Sequence, residues 1–101
     1  MITLITPEIL KQFKDRMKLS DDEDKNLTNI LDASVAALQE DCGEYDLENL
    51  RFKELVFERS RYVYNDALEY FSTNFLTEIN NLRLKSALEE IDLDGDTDAT
   101  L

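Results

Sequence analysis

The chain has 101 residues, with 23 Asp and Glu against 11 Lys and Arg, a formal charge of −12, a single Cys and no His. Such an anionic surface argues against nucleic acid gripped through its phosphates and against docking on an anionic membrane face, and the missing His removes the commonest general base and metal ligand. One Cys rules out an internal disulfide, the length sets one domain with a modest core, and the absence of a leader-like or long apolar segment points to a soluble intracellular protein.

In chain order, Thr6 followed by Pro7 reads as an N-cap and a first helical position, with Leu10, Phe13 and Met17 on one face, so a first helix is expected from about Pro7 to Met17. Ser20 with Glu23 three residues on has the capping-box spacing, and Asp21 and Asp22 place negative charge where the helix dipole favours it. The second helix then carries Leu27, Ile30, Leu31, Ser34, Leu38 and Cys42 on one side, and Gly43 suits the position that ends it. Asp46 can cap a third helix, whose first turn begins anywhere from 47 to 50.

That third helix holds seven of the nine aromatic residues between Leu50 and Phe75. On a 3.6-residue repeat Phe52, Val56, Val63, Ala67 and Tyr70 form one stripe, and Phe57, Tyr64, Leu68 and Phe75 form a second beside it. A helix that packs on one side needs an apolar arc of only about 100° or a little more, so this one has greasy surface to spare. One stripe is expected to fill the core and the other to meet a neighbouring chain. A break is expected near 72–77, where Ser72, Thr73 and Asn74 are weak helix formers, then a last helix from about Glu78 to Ile91 bearing Ile79, Leu84, Ala87 and Leu88. From Asp92 the chain reads DLDGDTDATL, with too little apolar content to fold.

The fold class that follows is all-α: a small bundle of three to four helices around a long, central, aromatic-rich third helix, with a domain over 1–91 and an acidic disordered tail over 92–101. The candidate core is Leu27, Ile30, Leu31, Leu38, Phe52, Val56, Val63, Ala67 and Phe71. The candidate oligomer or partner interface is Arg59, Arg61, Tyr62, Tyr64 and Phe75. Arg59 lies inside the apolar arc, where its guanidinium either pairs with a carboxylate such as Asp66 or carries its head out to water. Arg61 follows Glu58 by one turn and reads as a surface ion pair worth about 0.3 to 0.5 kcal/mol.

No catalytic or metal-binding group emerges. Asp92, Asp94, Asp96 and Asp98 alternate like the start of a calcium loop, but Gly95 stands at the fourth place instead of the sixth and the twelfth would fall beyond residue 101. Cys42 has no basic neighbour in sequence and reads as a small buried hydrophobe. Neither enzymatic activity nor any cofactor or metal is expected.

The block ERSRYVYNDALEYFSTNFLTEINNLRLKSALEEI (58–91), preceded by a TPEILKQF opening and an SDDEDKNLTNILDASVAALQEDCG helix, resembles the small head–tail connector, or adaptor, proteins of long-tailed double-stranded DNA phages. The likeness covers residues 2 to 91: a short opening helix, an acid-led second helix ending in Cys-Gly, and a long aromatic helix with an Arg-x-Tyr-x-Tyr-Asn-like segment. It rests on packing motifs and on no catalytic signature. The resemblance implies a homo-oligomeric ring, dodecameric in the virion, docked under the portal protein at the capsid vertex and made in the host bacterial cytoplasm. Such a ring extends the DNA channel, lets double-stranded DNA pass through its lumen without specific binding, and offers a platform to the next tail-proximal connector or stopper protein; no membrane is involved. Carboxylates on the channel wall would repel phosphate and keep DNA sliding. Two other classes fit part of the pattern. An acidic DNA mimic accounts for the charge and leaves the aromatics unexplained, whereas a small helical dimerisation module does the reverse.

Overall fold

The computed structural model describes residues 5–19 and 23–93, apart from the side chains of 90–93. Among the described residues the chain is entirely helical and without strand. Thr6 is extended and its Oγ1 accepts the Ile9 N–H at 3.2 Å, so α1 (Pro7–Met17) begins where the Thr-Pro pair predicts. It ends on Lys18 in the left-handed conformation (φ 58°), with the Leu19 N–H returning to the Lys14 carbonyl at 3.0 Å.

Helix α2 (Asp24–Cys42) follows Glu23; Ser20 to Asp22, the rest of the expected capping box, lie outside the described residues. Gly43 stops it at φ 118°, ψ −174°, a region open essentially only to glycine. Space imposes the same choice, since a Cβ at 43 would stand 2.5 Å from Ser86 Oγ and 2.9 Å from Ser86 Cβ. The α2 terminus thus lies almost in backbone contact with the last helix. Two bonds reinforce this meeting: Arg83 Nε donates to the Asp41 carbonyl at 2.7 Å, and the Tyr45 hydroxyl donates to the Leu82 carbonyl at 2.8 Å. The last turn of α2 has no basic residue of its own, so the Arg83 guanidinium supplies the donor that its carbonyl lacks.

Helix α3 (Leu50–Tyr64) is capped by Asn49, whose Oδ1 accepts the Phe52 N–H at 2.9 Å. Asp46, the cap expected from sequence, instead accepts the Glu48 N–H at 2.9 Å and shapes the turn before the helix. The expectation of one aromatic helix reaching the 72–77 region is corrected here: α3 stops at Tyr64. Asp66 takes a left-handed conformation (φ 58°), the Ala67 N–H bonds the Tyr62 carbonyl at 2.8 Å, and the Asp66 N–H bonds the Val63 carbonyl at 3.1 Å. This is the Schellman arrangement, with Asp in the place usually held by Gly, because a short polar side chain tolerates φ > 0. A 3₁₀ turn at Leu68–Tyr70, a single helical turn α4 (Phe71–Asn74) and α5 (Leu76–Leu93) complete the chain. The expected turn near 72–77 is present at Phe75, between α4 and α5. The last helix starts at Leu76, and Asp92 and Leu93, expected in the tail, continue it; residues 94–101 lie outside the description.

The core runs along α3. Phe52 and Val56 are fully buried, as are Leu27, Leu31 and Leu38 of α2 and Phe13 of α1; Phe71, Ile79 and Leu82 close the other end. The apolar face of α5 differs from the one expected. Ile79 and Leu82 point inward, whereas Leu84 and Leu88 are 59% and 52% exposed.

Candidate interaction surfaces

Because α3 is central, its wide apolar arc is largely covered within the chain. Phe57, from the second of the two stripes, is buried against α1: its ring lies 5.5 Å from that of Phe13, and the Arg16 guanidinium sits 5.1 Å above it. Arg16 also bonds Glu54 at 2.7 Å and lies 3.6 Å from Glu58, which in turn accepts Arg61 Nη2 at 2.6 Å. One ionic row therefore ties α1 to α3, and Arg61 has the Glu58 partner that its spacing predicts. This bond to Glu58 raises the Arg61 pKa above its ordinary value.

The other candidate interface residues have intramolecular partners as well. The Tyr64 hydroxyl donates to Glu23 Oε2 at 2.7 Å, joining the end of α3 to the start of α2, and this bond raises the phenol's pKa. Tyr62 is half-buried, meets Phe71 and Phe75 edge-on at 5.7 and 5.8 Å, and accepts a bond from Asn74 Nδ2 at 3.0 Å. Phe75 stacks on Phe71 at 5.0 Å. After the break at Asn65, the chain thus folds the second half of the aromatic stretch back onto α3.

Arg59 does not reach Asp66. Its Nη1 donates to Ser34 Oγ at 3.1 Å, and the Ser60 hydroxyl donates to the same oxygen at 3.0 Å. Both serines are completely buried, and burial of the guanidinium depresses its pKa, with Asp41 acting in the opposite sense. Ser34 was legible only as a position on the α2 face; that it is the acceptor for two α3 donors has no signal in periodicity. Of the expected core residues, Ile30, Val63 and Ala67 are half-buried and stand at its margin. Val63 is in the final turn of α3 and Ala67 in the loop beyond it, so the stripe they were to continue ends before them.

No group of three or more His, Cys, Asp or Glu among the described residues is placed to hold a metal. The side chains of Asp92, Asp94, Asp96 and Asp98 lie outside the description. Cys42 is buried, and that burial, aided by Asp41, pushes its thiol pKa up, away from nucleophilic use. The concave features are open and shallow. One groove of about 200 Å³ is lined by Arg51, Glu78, Asn81, Leu82 and Lys85, and another of about 330 Å³ by Thr6, Glu8, Ile9, Asp46, Leu47 and Glu48. No helix among the described residues is long and apolar enough to cross a membrane.

Among the described residues, the large apolar side chains that remain exposed lie mostly after the break: Leu68 and Tyr70 in the 3₁₀ turn, and Leu76, Leu84 and Leu88 on α5, with Leu50 at the start of α3. No family model matches the chain, and neither a curated protein nor a solved structure matches it.

Proposed function

We infer that this chain is a non-enzymatic structural protein of a phage virion, a head–tail connector that assembles as a ring beneath the portal and carries the DNA channel toward the tail. The observation that supports this reading most is the combination of a −12 charge with large exposed apolar side chains on a small all-helical fold. Charge of one sign keeps DNA from adhering, and apolar side chains left in water provide area for subunit contact. The helix order agrees with the resemblance: a short opening helix, a second helix ending at Cys42-Gly43, and a central helix bearing Arg61, Tyr62 and Tyr64. Contacts that close a ring are heterologous, one surface meeting a different one, so the exposed residues of α5 and of the 3₁₀ turn would face another patch on the next subunit.

The test is reconstitution. The purified chain is mixed with a phage portal protein and imaged by electron microscopy, and virions are probed with a labelled antibody. Ring density stacked on the portal and label confined to the head–tail junction are expected. Absence of the chain from purified virions would end this reading.

A further inference from the structure

The groove of about 200 Å³ between the start of α3 and the middle of α5 has cations on both of its helices. Arg51 comes from α3 and Lys85 from α5, Asn81 and Glu78 stand beside them, and Leu82, 3% exposed, gives it an apolar base. Arg51 and Lys85 are exposed, and neither has an ion pair among the described residues. In a chain of charge −12, two unmatched cations at one place form a local site of the opposite sign. The other groove, lined by Glu8, Asp46 and Glu48, repels what this one attracts.

We propose that the acidic segment following α5, residues 94–98, folds back along α5 of the same chain and lies in this groove, with Asp96 and Asp98 against Lys85 and Arg51. Charge and reach both support it. The segment reads Asp-Gly-Asp-Thr-Asp and has no basic residue. Lys85 lies eight residues before Leu93, where α5 ends, or roughly 12 Å back along the helix axis. An extended chain covers about 3.3 Å per residue, so the stretch from Gly95 to Asp98 spans about 10 Å, and the Lys and Asp side chains close the remainder. Gly95 stands where the chain must reverse, with no Cβ to restrict the turn. Exposed Glu89 lies one turn after Lys85 and Glu78 two turns before it, so the attraction is confined to the stretch between them and is weak. That weakness decides which copy supplies the segment. Two exposed ion pairs do not hold a separate molecule at micromolar concentration, whereas a segment joined to the same helix meets the groove at an effective concentration of about millimolar. Docking replaces two cations on this face by carboxylates. The contact lies within one subunit, so it goes beyond the ring proposed above and does not rest on it.

Amide NMR of the full chain tests it. The signals of Gly95, Asp96 and Asp98 should move between about 0.02 and 0.5 M NaCl, as screening releases the segment. Arg51→Gln with Lys85→Gln should place them at their high-salt positions already in low salt. Reciprocally, Asp96→Asn with Asp98→Asn should shift the Lys85 amide and Arg51 Nε signals to their high-salt positions. Residues 96 and 98 lie beyond α5, so this second pair of substitutions reports on the contact without touching the helical body. All positions should be the same from about 20 to 500 µM protein, because the segment and groove belong to one chain. Signals of the segment that ignore the groove substitutions, groove signals that ignore the Asp→Asn pair, or positions that vary with protein concentration, which would mean docking on a second copy, each overturn the proposal. The portal enters none of these measurements, so the two readings fail separately.

Discussion

Replacing Gly43 with Ala perturbs one methyl group and tests how the two ends of the molecule are joined. The backbone there, φ 118° and ψ −174°, costs an L-residue about 1 to 3 kcal/mol. The new Cβ would also lie 2.9 Å from Ser86 Cβ, an atom fixed to the α5 backbone, so rotating the Ser86 side chain removes the 2.5 Å approach of Oγ and leaves the other. Helix α5 must then retreat by several tenths of an ångström, which strains the Tyr45 and Arg83 bonds that cross the same junction. Together these set a loss of about 2 to 4 kcal/mol, or a melting temperature lower by roughly 10 to 25 °C for a domain of this size. Thermal melting followed by circular dichroism measures it. A cycle with Ser86→Gly separates the causes: removing Ser86 Cβ relieves the clash and leaves the dihedral cost, so Gly43→Ala should cost less in the Ser86→Gly background than in the parent. If Gly43→Ala melts within about 2 °C of the parent, the close approach and its positive φ play no part in stability.

Phe57→Ala should cost about 3 to 5 kcal/mol by chemical denaturation, because the buried ring packs against Phe13 and under Arg16 of α1; a loss below 1 kcal/mol would mean that α1 does not dock there. Ser34→Ala should cost about 1 to 3 kcal/mol, since two donors lose one acceptor, and adding Ser60→Ala should cost less in that background than in the parent, which urea titration of the four variants resolves. The thiol of Cys42 should react with Ellman's reagent at pH 8 only as fast as the domain opens, and its rate should rise steeply in urea. Its raised pKa works against the fold at high pH: above the ordinary thiol value of 9.0 the unfolded chain loses the proton that the folded chain retains, so stability falls as pH rises from there toward the folded value, and Cys42→Ala should flatten part of that fall.

The first two helices were legible because their ends carry unambiguous chemistry: Thr6-Pro7 at one start and Gly43 at one stop. The end of α3 was not, because the chain turns there on Asp66 without glycine or proline, and the aromatic period runs on through the break as if the helix continued. The pair Asn65-Asp66 was the available signal, since both residues tolerate the left-handed conformation. That one missed turn changed the reading of the surface, for it took Phe71 and Phe75 off a long helix and folded them onto Tyr62. On α5 two apolar strips overlap, and periodicity alone does not say which one the core takes; Tyr45 and Gly43, both distant in sequence, decide for Leu82 and against Leu84. The Arg59–Ser34–Ser60 cluster lay equally out of reach, because it depends on how two helices are set against each other.

The junction of Asp41, Gly43 and Tyr45 with Leu82, Arg83 and Ser86 also bears on the order in which the molecule assembles. Helices α2 and α3 are neighbours in sequence and make a helical hairpin with short loop closure, while α5 returns across some forty residues to reach the bend that ends α2. Contacts of that separation carry the larger loop-closure cost, so α5 is expected to close onto a hairpin already in place. Its amides should accordingly exchange with solvent through openings of lower free energy than those of α3, giving a small protein two tiers of protection, with the less protected tier carrying the exposed apolar strip.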